Sequence, residues 1–218
     1  IANNKHQTKL ISIKEEIPTP EFILINLESD PALAFYDLEI EFKGPYVVKP
    51  VNEGSTMGLS IVESKKDLDT AILLSKEYSN NILIEKYIEG KEVTVGIVGN
   101  RALPIVEIVP KNNLYDYESK YTKGMSDYFV PADLPKSLTR LIQEDALKLY
   151  NKIGCSNYSR VDFRVNSKGE YFLLEINTLP GLTPTSLLPI AAKEVGLDYR
   201  KLIETIISIA LLKDECYE

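Results

Sequence analysis

The stretch RVDFRVNSKGEYFLLEINTLPG at residues 160–181 constrains this chain more than any other. Successive side chains of a strand point to opposite faces, so Arg160 and Asp162 share one face while Val161, Phe163 and Val165 take the other. In YFLLEIN the same rule puts Leu174 and Ile176 on one side and Glu175 and Asn177 on the other, and NSKG between the runs is a turn signal. The stretch therefore predicts a hairpin with one apolar face and one face that sets a cation, two carboxylates and an amide side by side. Glu175 and Asn177 offer oxygens two residues apart, and Asp162 offers a third from the neighbouring strand. Magnesium is a hard cation that takes oxygen ligands, commonly one or two carboxylates plus phosphate oxygens, so the set fits magnesium with ATP. An antiparallel sheet with one face in water alternates in the same way, and Arg160 would then simply pair Asp162. The hairpin alone leaves both readings open.

The apolar face needs cover. With 218 residues and 44% hydrophobic content the chain can bury a sizeable core, as one large domain or as two lobes. A net charge of −7 argues against a general nucleic-acid binder, whose footprint would be a basic patch, so an anionic ligand would need locally placed cations. No apolar run reaches the roughly 20 residues of a membrane span, and no charged-then-apolar leader is present; the expectation is a soluble, cytoplasmic protein without a membrane partner. Cys155 and Cys216 are too few for a disulfide framework, and with His6 as the single histidine there is no zinc constellation, so any metal must be held by oxygen.

Along the chain, NNKHQTKLISIK reads as a helix stopped by Pro18 and Pro20, and the absence of an initiator Met suggests sequence upstream. Residues 21–44 are mixed and carry no assigned element. GPYVVKP predicts a buried strand followed by the loop VNEGSTMG, and residues 65–79 a helix. NILIEKYIEGKEVTVGIV predicts two strands around Glu89 and Gly90, and ALPIVEIVP another. Residues 111–135 read as a long loop, 137–153 as a helix, and 184–195 and 199–213 as two more. In the glycine loop, Gly54 and Gly58 bracket Ser55 and Thr56, a flexible turn whose N–H groups can approach phosphate, although an ordinary hairpin loop reads the same way. It lacks the Gly-Lys-Ser/Thr ending of a Walker loop and the spacing of a dinucleotide fingerprint. Lys49 sits in a buried-type strand, a cost that an adjacent anion would resolve.

Taken in order, VVKPVNEGSTMG, LIEKYIEGKEVTVGI, YDYESKYTKG, RVDF and LLEINTLPGLTPTSLLP closely resemble the D-alanine–D-alanine ligase family of ATP-grasp enzymes, across essentially all 218 residues. The resemblance implies an α+β ATP-grasp fold with the nucleotide between two mainly antiparallel sheets, a smaller lobe over residues 1–90 and a larger one over 91–218. It implies an upstream domain that this chain lacks, and homodimers. It assigns Lys5 and Lys49 to the ATP phosphates, Glu85, Lys86, Tyr87 and Ile88 to adenine, Glu92 to the ribose hydroxyls, and Asp162, Glu175 and Asn177 to two magnesium (or manganese) ions. Arg160 and Gly181 match an oxyanion site, and Ser186 and Leu187 match the contacts of the second substrate's carboxylate. Lys120 matches a lysine that reaches the γ-phosphate from a mobile loop, and Tyr121 a tyrosine that closes beside Ser55. Thr56 departs from the family's second serine, keeping a hydroxyl but adding a stiff β-branch. The implied reaction joins two D-alanines through an acyl phosphate, for peptidoglycan precursors, and Tyr121 favours an amine as the second nucleophile. Because the family draws contacts to the first D-alanine from its upstream domain, the chain by itself is expected to bind ATP with little turnover. A ligase for another acid and amine, and an ATP-binding module without turnover, stay open.

Overall fold

The hairpin at residues 160–177 forms the edge of a larger antiparallel sheet in the computed structural model, which describes residues 2–28, 40–54, 56–111 and 126–214. Ser55, Lys120 and Tyr121 lie outside the described residues. The sheet runs in the order β10 (Tyr171–Asn177), β9 (Tyr158–Val165), β5 (Lys91–Val98), β7 (Val106–Pro110), β8 (Ser126–Phe129), with β6 (Arg101–Ala102) also paired to β5. Helices α1 (Lys5–Lys14) and α3 (Lys136–Ile153) cover one face, where Val93, Val95, Ile142, Leu149, Phe163 and Leu173 are fully buried. Helices α4 (Leu187–Glu194) and α5 (Tyr199–Asp214) belong to a second cluster with Leu103, Val106, Leu188 and Leu202. On β5, Gly96 lets α4 approach closely, since a Cβ there would stand 2.6 Å from Leu188 Cδ1.

A second antiparallel sheet has the order β1 (Phe22–Asn26), β4 (Asn81–Lys86), β2 (Tyr46–Pro50), β3 (Ser60–Val62), and helix α2 (Leu68–Lys76) packs on it through Leu68 and Ile72. Strand β4 is central, and Ile82, Leu83, Ile84 and Glu85 are all buried, as a strand covered on both faces requires. Among the described residues no helix is long and apolar enough to cross a membrane.

Three features depart from the sequence reading, each for a physical reason. Strand β1 occupies residues left without an element; its alternation is weak, and its register comes from pairing with β4, Phe22 opposite Glu85 through Asn26 opposite Asn81. Strand β8 lies inside the expected 111–135 loop as a short edge strand whose side chains are half-buried or exposed, so it carries little apolar signal. In β10 strict alternation fails: Leu173 pairs with Phe163 but Glu175 with Asp162, so a β-bulge falls at Leu174. Leu173 and Ile176 enter the core, and Leu174 joins Glu175 on the cleft side instead of facing inward with Ile176.

Helix α1 inverts the usual amphipathic arrangement. It buries Lys5, Thr8, Lys9 and Ser12, a polar stripe at helical spacing, while Leu10 and Ile13 stay exposed at 43% and 55%. Asn4 caps it by accepting a hydrogen bond from Gln7 N. Lys5 and Lys9 pair with carboxylates that line the cleft described next, Ser12 donates to the Ile17 carbonyl at 2.6 Å, and the Thr8 hydroxyl has no hydrogen-bond partner among the described residues.

Candidate active site

A cleft of about 540 Å³ opens between the two sheets. The smaller sheet contributes Lys49 from β2 and Glu85 and Lys86 from β4; Tyr87 and Ile88 come from the crossover to β5, and Thr56 from the glycine loop. The larger sheet contributes Glu92, Arg160, Asp162 and Glu175, and α1 contributes Lys5. A second cavity of about 820 Å³ shares Lys5, Arg160 and Glu175 and adds Asn177, Gly181, Ser186 and Leu187. Every candidate residue of the sequence reading that is described therefore lines one of two adjoining spaces, and Arg160 and Glu175 stand where they join.

The hairpin register explains the cluster at that junction. Glu175 lies opposite Asp162, and Asn177 lies opposite Arg160, so all four side chains leave the same face. Arg160 grips Asp162 with both arms of its fork, Nε to Oδ1 and Nη2 to Oδ2, each at 2.9 Å, and Thr94 Oγ1 donates to Asp162 Oδ1 at 2.6 Å. Lys5 Nζ is 3.0 Å from Glu175 Oε2 and donates to the Glu53 carbonyl at 2.5 Å. Among the described residues no group of three His, Cys, Asp or Glu side chains is set to hold a metal unaided. Two carboxylates and the Asn177 amide oxygen, completed by phosphate oxygens, are nevertheless the donor set magnesium takes, so the residues fit that ion.

A buried charge triad backs the cleft. Glu85, 1% exposed, places Oε1 2.8 Å from Lys9 Nζ and Oε2 2.7 Å from Lys49 Nζ. Burial alone would push the Glu85 carboxyl up, but the two ammonium groups hold it below the ordinary value. Burial lowers Lys9 to about 8, with Glu85 opposing the fall.

Where the chain crosses from β4 to β5, Arg164 pins the segment to β9. Its guanidinium donates to the Ile88 carbonyl at 3.0 Å, to Glu92 at 3.3 Å and to the Tyr87 hydroxyl at 3.2 Å. Gly90 lies at φ +133, and a Cβ there would collide with the main-chain carbonyl oxygen of Val165. Gly169, at φ +79 with open space around it, needs its conformation only. Gly90→Ala is accordingly expected to cost at least about 2 kcal/mol and Gly169→Ala about 1 kcal/mol, measured by urea unfolding. Equal costs would show that the crossover is not held against β9.

Thr56 also sits at positive φ, +65, where a β-branched residue is strained. Ser186 stands at the N-cap of α4, but its hydroxyl accepts from Thr183 N at 3.1 Å rather than capping the first turn. Sequence reasoning missed Lys9, Thr94, Arg164 and Leu174. Arg164 was within reach, because it follows Arg160 and Asp162 at the same two-residue period. Lys9 follows Lys5 by one helical turn, a spacing that equally describes a solvated face.

Two mainly antiparallel sheets closing on a cleft rich in lysine and arginine define an ATP-grasp protein. A family profile described as D-ala D-ala ligase C-terminus matches residues 11–208, and the chain belongs to the D-alanine–D-alanine ligase family. The D-alanine–D-alanine ligase of Methylacidiphilum infernorum is 44% identical over 212 residues, 97% of this chain and 67% of that protein. That of Halalkalibacterium halodurans is 44% identical over 220 residues, covering 98% and 70%. Among solved structures, the Bacillus anthracis D-alanine–D-alanine ligase complexed with ATP superposes with a TM-score of 0.83 at 34% identity, over 100% of this chain and 69% of that one. The D-Ala:D-Ser ligase of Enterococcus faecalis gives 0.83 at 29% identity, over 95% and 61%.

Proposed function

We propose that this chain carries the ATP site and the acyl-transfer centre of an ADP-forming ligase that joins two D-alanines for cell-wall precursors. The carrying observation is the pair of adjoining cavities that meet at Arg160 and Glu175, one lined by lysines and the crossover segment, the other by Gly181 and the start of α4. In this reading Lys5 and Lys49 meet the ATP phosphates, residues 85–88 receive adenine and Glu92 the ribose. Magnesium on Asp162, Glu175 and Asn177 would offset phosphate charge during phosphoryl transfer. Arg160 and the Gly181 N–H stabilise the oxyanion that forms when an amine attacks the acyl phosphate, and Ser186 with Leu187 holds the second substrate's carboxylate at a helix N-terminus. Lys120, Tyr121 and Ser55 complete the reading by their family roles, Lys120 towards the γ-phosphate and Tyr121 with Ser55 in keeping water from the acyl phosphate, which it would hydrolyse.

A division into lobes 1–90 and 91–218 belongs to the same proposal. The crossover at residues 87–90 supports that boundary, whereas α1 falls on the other side of it, packed on the larger sheet with its Lys9 reaching Glu85 of the smaller. The family reading also puts the protein in the cytoplasm, as a homodimer.

Calorimetric titration with ATP tests the site. Glu175→Ala and Asn177→Ala are each expected to weaken ATP binding in magnesium by about tenfold or more, whereas Lys66→Ala, on an exposed turn, leaves it unchanged. Equal affinity of the parent protein with magnesium and with chelator would sink the metal assignment.

A further inference from the structure

Lys9 is wholly buried on the inner side of α1 and lines neither cavity. Its ammonium is fixed by Glu85 at 2.8 Å, the Thr19 hydroxyl at 2.5 Å and the Pro20 carbonyl at 3.4 Å, and stands 5.0 Å from the centroid of the Phe22 ring. Glu85 faces two ways: its other oxygen holds Lys49, which does line the cleft. Burying an ammonium group is costly, and a whole buried ion pair can often be replaced by hydrophobic residues without loss of stability. A charge kept at that cost, one carboxylate away from the cleft, asks for a role there.

We propose that Lys9 is a positioning residue for nucleotide phosphates: it holds Glu85 from behind, so that Lys49 presents net positive charge to the cleft. The inference rests on the reading of Lys49 as a phosphate contact. Glu85 and Lys49 alone make a neutral pair, and a phosphate that drew Lys49 forward would strand a buried carboxylate. With Lys9 the triad carries one net positive charge, and Glu85 keeps a partner wherever Lys49 turns. The benefit grows with ligand charge, so it separates from any general loosening of the pocket.

Titration calorimetry at about pH 7 in magnesium, with ATP, ADP and adenosine as probes, tests this on four proteins. Lys9→Gln, which keeps a hydrogen-bond donor beside Glu85, is expected to lower ATP affinity by about tenfold or more, ADP affinity by less, and adenosine affinity by no more than about twofold. The double variant Lys9→Met/Glu85→Gln removes both charges of the rear pair and leaves Lys49 its own; because Glu85 is also read as an adenine contact, the quantity compared is the ratio of ATP to adenosine affinity, which should return to within about threefold of the parent's. Replacing a buried ion pair by neutral groups is commonly tolerated, so the double variant reports even where a single substitution folds poorly. An equal loss for adenosine and ATP in Lys9→Gln, or no recovery in the double variant, overturns the proposal. Lys49→Met separates the two layers. Unchanged ATP affinity there overturns the phosphate reading itself, and a loss there without one in Lys9→Gln removes Lys9 alone.

Discussion

Measured together with the upstream domain that the family resemblance implies, Arg160→Ala is expected to lower D-alanine-dependent phosphate release by about a hundredfold to a thousandfold, with a smaller change in ATP affinity. Arg160 stands at the junction of the two cavities, so its charge lies where phosphoryl transfer and amine attack would meet. Its guanidinium is oriented before any ligand arrives, by a two-armed grip on Asp162, and Asp162 is itself held by Thr94. Preorganised charge of this kind acts on the transition state more than on the bound reactants, because no dipoles have to turn as the oxyanion forms. Arg160→Lys keeps the charge but loses the planar fork, and should fall between parent and alanine variant. A coupled phosphate assay beside ATP calorimetry decides the matter. If turnover survives Arg160→Ala, the residue serves only as the partner of Asp162, the alternative that the hairpin sequence by itself allowed.

Glu85→Ala is expected to cost about 3–5 kcal/mol of stability, the usual penalty for removing one member of a buried ion pair. Two lysines would remain buried, Lys9 at 0% and Lys49 at 6% exposure, without the carboxylate they share. The pH dependence has a definite sign. Burial already lowers Lys9 from 10.5 to about 8 against the pull of Glu85, and loss of Glu85 deepens that fall. A lysine whose folded pKa lies below its unfolded value binds more protons in the unfolded chain between the two, so stability rises with pH across that window. The deficit of Glu85→Ala is therefore largest below the folded-state value and shrinks as Lys9 loses its proton. Urea unfolding of parent and variant at about pH 7 and about pH 9.5 measures the difference, and a deficit that grows with pH would contradict the triad as the cause.

Strand periodicity carried the hairpin. Arg160, Asp162, Glu175 and Asn177 alternate with Val161, Phe163 and Ile176, and a two-residue period is a local property that survives without knowledge of the rest of the chain. The motifs around Lys49, Glu85 to Ile88 and Ser186 were legible for the same reason, since each is a short run whose order along the chain identifies the family. Helix α3 was legible too, because its apolar residues Leu138, Ile142, Ala146 and Leu149 recur at helical spacing and face the core.

Tertiary structure alone decided the bulge at Leu174, because an extra residue in one strand is defined only by its partner, and the Leu173–Phe163 and Glu175–Asp162 pairings place it. It also decided which charges are buried. Lys9 and Glu85 are 76 positions apart in sequence, and the polar stripe of α1 reads as a solvated face until Glu85, Glu175 and the loop after β2 are brought against it. Sequence patterning assumes that polar means outside. That assumption breaks where a fold closes two sheets on a charged ligand site, because electrostatic partners far along the chain then take over the role that water plays at a surface.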